Sequence, residues 1–154
     1  MPTRIPALLF LVALPALAEE PAGVEGVIDE ARARCAAFEG GTLTVTDTAI
    51  VATDLTGDGT RDAVVDGRGL RCSSAVSLFC GGTGGCEIAL VAEGTVTPLL
   101  AKGWRVVDWA GDRIVLLQVH GSECGGTNLR RCYEALVWSE GAFRTVNESR
   151  AGPD

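Results

Sequence analysis

Three observations predict an α+β, mainly β domain: one N-terminal amphipathic helix packed on an antiparallel meander sheet and stapled by disulfides. They are a helix-periodic segment near the N-terminus, short runs of Val, Ile, Leu and Thr between Gly and Asp turns, and six cysteines. With 47% apolar and 21% charged residues, the 154-residue chain can fill one core and is too apolar for a disordered tail. It carries 20 acidic residues against 13 Lys and Arg, a formal charge of −7. That balance excludes an electrostatically driven nucleic-acid binder, which needs a basic face to neutralise phosphates.

Residues 1–18 read as a secretory signal peptide. Arg4 precedes an apolar run from Ile5 to Leu17, and Ala16-Leu17-Ala18 offers small residues before a cut ahead of Glu19. The run is interrupted by Pro6 and Pro15 and is shorter than the ~20 residues that span a bilayer. Residues 19–154 then form a single domain, periplasmic or secreted, with no membrane span in the mature form.

In the mature chain, Val24, Val27, Ile28, Ala31, Cys35 and Phe38 recur at steps of 3 and 4, one face of a helix that Gly40-Gly41 stops. Strands are expected at Thr42–Thr46, Ala49–Thr53, Ala63–Asp66, Ala75–Phe79, Glu87–Ala92, Thr95–Leu100, Arg105–Asp108, Arg113–His120, Tyr133–Ser139 and Phe143–Asn147. Turn signals at Glu93-Gly94, Ala110-Gly111-Asp112 and Glu140-Gly141 mark hairpins. No second helical stretch interleaves with the strands, which argues against a parallel α/β sheet. Ser149–Asp154 reads as a frayed end.

Cys35, Cys72, Cys80, Cys86, Cys124 and Cys132 read as three disulfides, because an even count in a small exported domain meets an oxidising compartment. Many pairings are open. Spacing favours Cys80–Cys86 around Gly81-Gly82-Thr83-Gly84-Gly85 and Cys124–Cys132 around a polar loop, which leaves Cys35 with Cys72. No C-x2-C pair exists, so the usual zinc and thioredoxin-like patterns are missing.

The stretch Asp54-Leu-Thr56-Gly-Asp58-Gly59-Thr60-Arg-Asp62 sets carboxylates at positions 1, 5 and 9 of a calcium-type loop. Thr56 stands at 3, Gly59 at the tight turn and the Thr60 carbonyl at 7. The plainer reading is an Asx-rich hairpin turn, since Asp bonds nearby amides and Gly accepts positive φ. DLTGDGTRD followed by AVVD resembles the aspartate loops of FG-GAP/VCBS-type repeats and, more distantly, of dockerins and EF-hands. The resemblance implies calcium on Asp54, Asp58 and Asp62, with Thr56 and Thr60 as weaker ligands. Thr56 replaces the usual Asp or Asn, and Val65 stands where an EF-hand places its bidentate Glu, so a sensor EF-hand is not expected. The order of this loop, FCGGTGGC, HGSECG and Cys132-x5-Trp138 is similar to small exported proteins of Gram-negative bacteria.

His120, the sole histidine, precedes Gly121-Ser122-Glu123. A hydrolase would use it with Ser122 and a carboxylate such as Glu123 or Asp112, but no G-x-S-x-G elbow accompanies it. The glycine run at 81–85 lacks the Lys and helix of a phosphate loop. Trp109 beside a hairpin turn, Arg130 and Arg131 on a stapled loop, and His120 are contact candidates. The expected function is a non-enzymatic binding or structural protein of the bacterial envelope, with a calcium-stabilised loop and an envelope protein or glycan as partner. The alternative is a small secreted hydrolase using His120 with nearby carboxylates.

Overall fold

The computed structural model describes residues 20–145. The signal-peptide reading of residues 1–18 and the frayed end at Ser149–Asp154 lie outside the described residues. One helix, α1 (Val24–Ala37), precedes eleven strands: β1 (Leu43–Val45), β2 (Ile50–Thr53), β3 (Asp62–Asp66), β4 (Leu70–Cys72), β5 (Cys80–Gly81), β6 (Gly85–Ala92), β7 (Thr95–Ala101), β8 (Gly103–Trp109), β9 (Asp112–Val119), β10 (Cys132–Ser139) and β11 (Ala142–Thr145). The described chain is mainly β, and every strand pair is antiparallel. None of the described helices is long and apolar enough to cross a membrane.

The strands form three sheets. β1 pairs with β4 alone. In the central sheet β6 carries β3 and β5 along one edge and β7 along the other, and β2 borders β3. The third sheet is a plain meander, β8-β9-β10-β11. Three hairpins, β6–β7, β8–β9 and β10–β11, close through Glu93-Gly94, Ala110-Gly111 and Glu140-Gly141. Both residues of each turn have positive φ, the turn whose twist matches that of the flanking strands.

Alternation along β3 and β6 sets the layers. Ala63, Val65, Ala89 and Val91 join a core with Val24, Ile28, Ala31 and Cys35 of α1. Val64, Ile88 and Leu90 point the other way, into a core with Val115, Leu117, Val119 and Leu136 of the meander. The central sheet is therefore covered on both faces, which is why all of β3 is buried. A sheet with two covers reads as a continuous apolar run instead of an alternating one.

Three expectations are corrected. Ala75–Phe79 is not a strand: Leu78 N–H donates to the Ala75 carbonyl in a turn, Val76 is fully exposed, and Phe79 drops into the helix-side core. Ala75 and Leu78 pack against the same core, so the segment meets it from a turn and not as a strand. β4 forms where no strand is expected, because Leu70 and Cys72 are buried on either side of an exposed Arg71. The meander describes only β8–β11, since the central sheet also takes the short β5 onto β6.

Disulfides join Cys35 to Cys72, Cys80 to Cys86 and Cys124 to Cys132. Cys35–Cys72 ties α1 to β4 across a sequence separation of 37, against 6 for Cys80–Cys86. The chain-entropy relation gives ~4 kcal/mol for the long loop and ~2 kcal/mol for the short one. The double variant Cys35→Ala/Cys72→Ala should therefore lose roughly twice the unfolding free energy of Cys80→Ala/Cys86→Ala. Urea denaturation at neutral pH measures both, and equal losses would contradict the loop-length account.

Candidate functional site

The acidic segment 54–62 is the hairpin loop between β2 and β3. Its carboxylates turn onto the loop's own backbone. Asp54 accepts the amides of Gly57 at 2.6 Å and Gly59 at 3.1 Å. Asp58 accepts both the amide and the hydroxyl of Thr60 at 2.7 Å. Those two bonds, the hydroxyl's first, hold the Asp58 carboxyl below its ordinary pKa. Asp62, buried, accepts the amides of Leu55 at 2.8 Å and Thr56 at 3.2 Å. Thr56 donates weakly to Asp54 at 3.5 Å. Gly57 and Gly59 have φ of 86° and 82°, which lets the amides turn inward.

The donor set has calcium's chemistry, hard oxygens throughout. As arranged, however, Asp54, Asp58 and Asp62 do not converge: among the described residues, no three His, Cys, Asp or Glu side chains form a group that could hold a metal. Arg113 of β9 also reaches Asp54 at 3.5 Å and Asp108 at 3.2 Å, with its Nε buried and unpaired. A guanidinium therefore already places positive charge on the first carboxylate of the loop.

The remaining candidates separate to two ends of the meander. Trp109 is 72% exposed beside the β8–β9 turn, the end at which Arg113 meets the acidic loop. His120, Arg130 and Arg131 lie at the other end, where Val119 pairs with Cys132. Both arginines are exposed on the loop that the Cys124–Cys132 bridge closes.

His120 caps a short 3-10 turn, Gly121–Cys124. Its Nδ1 accepts the Ser122 amide at 3.2 Å and lies 2.8 Å from the Ser122 hydroxyl, which in turn lies 3.4 Å from Glu123. In a hydrolytic triad the acid orients the histidine through its second nitrogen. Here the carboxylate touches the serine, and no described carboxylate bonds His120 Nε2. The arrangement is chemically a turn cap.

Sequence reasoning missed a buried polar cluster beneath the central sheet. Asp66 is 5% exposed; it receives the side chain of Arg68, that residue's amide at 2.9 Å, and the Trp104 indole N–H at 2.8 Å. Burial alone would raise the Asp66 pKa, but the Arg68 bonds and the indole outweigh it and the net direction is down. The only signal was an acid two residues before Arg68, which periodicity does not separate from a turn.

Reasoning from sequence also did not foresee a groove of about 560 Å³ between α1 and β7, lined by Val27, Ala31, Val65, Phe79, Val96 and Pro98. Arg34 closes one side by donating from both terminal guanidinium nitrogens to Glu87, at 2.6 and 2.7 Å, and its guanidinium sits 5.5 Å from the Phe79 ring centre. Comparison with protein-family models, curated proteins and solved structures returned no match.

Because Asp66 titrates below its unfolded value of about 3.9, its contribution to stability is complete above that pH and disappears as the pH falls through the lower folded value. Asp66→Asn should flatten the fall in unfolding free energy below about pH 4 relative to wild type, measured by denaturant titration across pH 2–6. An unaltered acid limb would show that Asp66 is not a titrating element of the fold.

Proposed function

We propose that the protein is an exported, non-enzymatic binding protein of the bacterial envelope. The single observation that carries this reading is the outward face of β8–β10, where Trp109 and Tyr133 stand 72% and 57% exposed on a scaffold braced by three disulfides. Rigid elements hold aromatic contacts at low entropic cost on binding. The apolar stretch at residues 1–18 supports export, and three bridges suit an oxidising compartment. An envelope protein or glycan is the partner class. The hydrolase alternative is the weaker reading, because the described Ser122–His120 pair has its acid on the serine.

The test is site-specific photocrosslinking in the exporting cell. A photoreactive side chain at position 109 should give one defined adduct, and the same group at the exposed Val76, outside the meander, should give none. Equal labelling at both positions, or none at 109, would remove the binding reading.

Within the same proposal, calcium is a structural ion of the 54–62 loop, taken up when Asp54, Asp58 and Asp62 turn from the loop's own amides onto it, with support from Thr56 and Thr60. What supports it is the density of oxygen donors and the two inward glycines. An ion that binds only the native state raises the melting temperature by mass action, with ~2.7 kcal/mol at a hundredfold excess over Kd. Millimolar calcium should therefore raise Tm relative to EDTA, and Asp54→Ala/Asp58→Ala should abolish the rise. Identical melting in both buffers would leave the loop to its Asx turns alone.

A further inference from the structure

Of the three disulfides, Cys80–Cys86 alone has both of its residues half-exposed. Cys35 and Cys72 are both buried in the helix-side core. Cys124 is exposed, but its partner Cys132 is buried in the meander-side core. Thiol–disulfide exchange needs an attacking thiolate to reach one sulfur and the other sulfur to leave as a thiolate. Burial bars approach to Cys35–Cys72. At Cys124–Cys132 the reachable residue is Cys124, and the leaving thiolate would then form on Cys132 in an apolar core, where burial raises its pKa. Cys80–Cys86 has neither obstacle. It also closes the shortest loop, with a sequence separation of 6 against 8 and 37, so the fold depends on it least.

Charge fixes the direction of exchange. Cys80 stands on the wall of a cleft of about 350 Å³ together with Arg68 and Arg71. Arg68 is held by Asp66. Arg71, exposed on β4, has no ion pair among the described residues, so the cleft keeps one uncompensated cation. Glu87, next to Cys86 in β6, has both oxygens taken by Arg34. Positive charge beside a cysteine lowers the pKa of its thiol, and the thiol of lower pKa leaves faster. Cys80 is therefore the leaving group and Cys86 the sulfur attacked. The glycine loop between them adds little bulk. Gly82 and Gly85 have positive φ, but Gly81 does not, and a Cβ there would meet nothing within 4 Å. A glycine in a strand that neither backbone nor packing requires leaves room for another chain to come close.

We propose that Cys80–Cys86 is a redox-exchange site that takes the electron pair of a dithiol. One thiolate of the dithiol attacks Cys86 Sγ and forms a mixed disulfide, and Cys80 leaves as a thiolate into the Arg71 cleft. The second thiolate of the dithiol attacks the sulfur of its own molecule in that mixed disulfide and releases Cys86. Two electrons and two protons pass: Cys80 and Cys86 end as thiols and the dithiol ends as a disulfide. The spacing is C-x5-C, so the chemistry rests on access and charge and not on a thioredoxin-like motif. It is independent of the binding reading above.

Graded dithiothreitol on the full chain, quenched with N-ethylmaleimide and mapped by mass, tests it. Cys80 and Cys86 should be alkylated at least about tenfold faster than the other four cysteines. The near-ultraviolet circular dichroism of the folded chain should persist, and oxidised glutathione should restore the bridge. Arg71→Gln should slow the opening about threefold, the effect of one pKa unit on a leaving thiolate, and Arg71→Lys should keep the wild-type rate. With glutathione as the attacking thiol, the trapped adduct should lie on Cys86, a result that needs no variant to fold. Gly81→Val separates the sources of the dithiol. It should slow opening by a reduced thioredoxin-type protein and spare dithiothreitol if a protein docks there, and spare both if the dithiol is a small molecule. Another bridge opening first, all three opening together, a glutathione adduct on Cys80, or a wild-type rate in folded Arg71→Gln each overturn the proposal.

Discussion

Burial of β3 and β6 from both sides is the constraint on which the other parts depend. The two faces differ in size and polarity. Ala63, Val65, Ala89 and Val91 present a shallow surface on which α1 sits close, whereas Val64, Ile88 and Leu90 present a bulkier one to the meander. A slip of one residue would exchange these sets, so register is fixed from both sides. The acids bounding β3 share the Val64 face, and each is given partners where it is buried: loop amides for Asp62, and Arg68 with the Trp104 indole for Asp66. Since Trp104 belongs to β8, the Asp66 bond also sets where the meander lies on the central sheet. A carboxylate left unpaired at that depth is costly, so the contact fixes geometry as well as adding energy.

Much of this was legible in the residues. The helix at Val24–Ala37 follows from steps of 3 and 4. The three hairpins follow from Gly94, Gly111 and Gly141 between apolar runs, while Glu93, Ala110 and Glu140 take positive φ without favouring it. What could not be read was which runs share a sheet. A continuous apolar strand says that both faces are wanted covered and does not say by what. For β3 and β6 the answer is helix and meander. Ala75–Phe79 misled for a related reason: Ala75, Leu78 and Phe79 pack on the helix-side core from a turn, contacts distant in sequence that a local pattern does not encode. Chemistry was harder still. His120, Ser122 and Glu123 supply the types for hydrolysis, yet adjacency in sequence folds them into a turn cap, and residue type carries no geometry.

The acidic loop and the outward face of the meander are not independent features. Arg113 stands between them, with Asp54 of the loop on one side and Asp108 of β8 on the other, while its neighbours Asp112 and Ile114 lie on the outward face. In the described structure the loop closes through its own amides, and the charge on Asp54 is met by this guanidinium. A divalent cation seated on Asp54 would compete with Arg113 for the same oxygen and repel its charge. The arginine would then lean wholly on Asp108, at the end of β8 where Trp109 is presented. Arg113 thus links the acidic loop to the Trp109 end of the meander through one side chain. Its buried, unpaired Nε marks it as the group in this region with a bonding capacity still to be met.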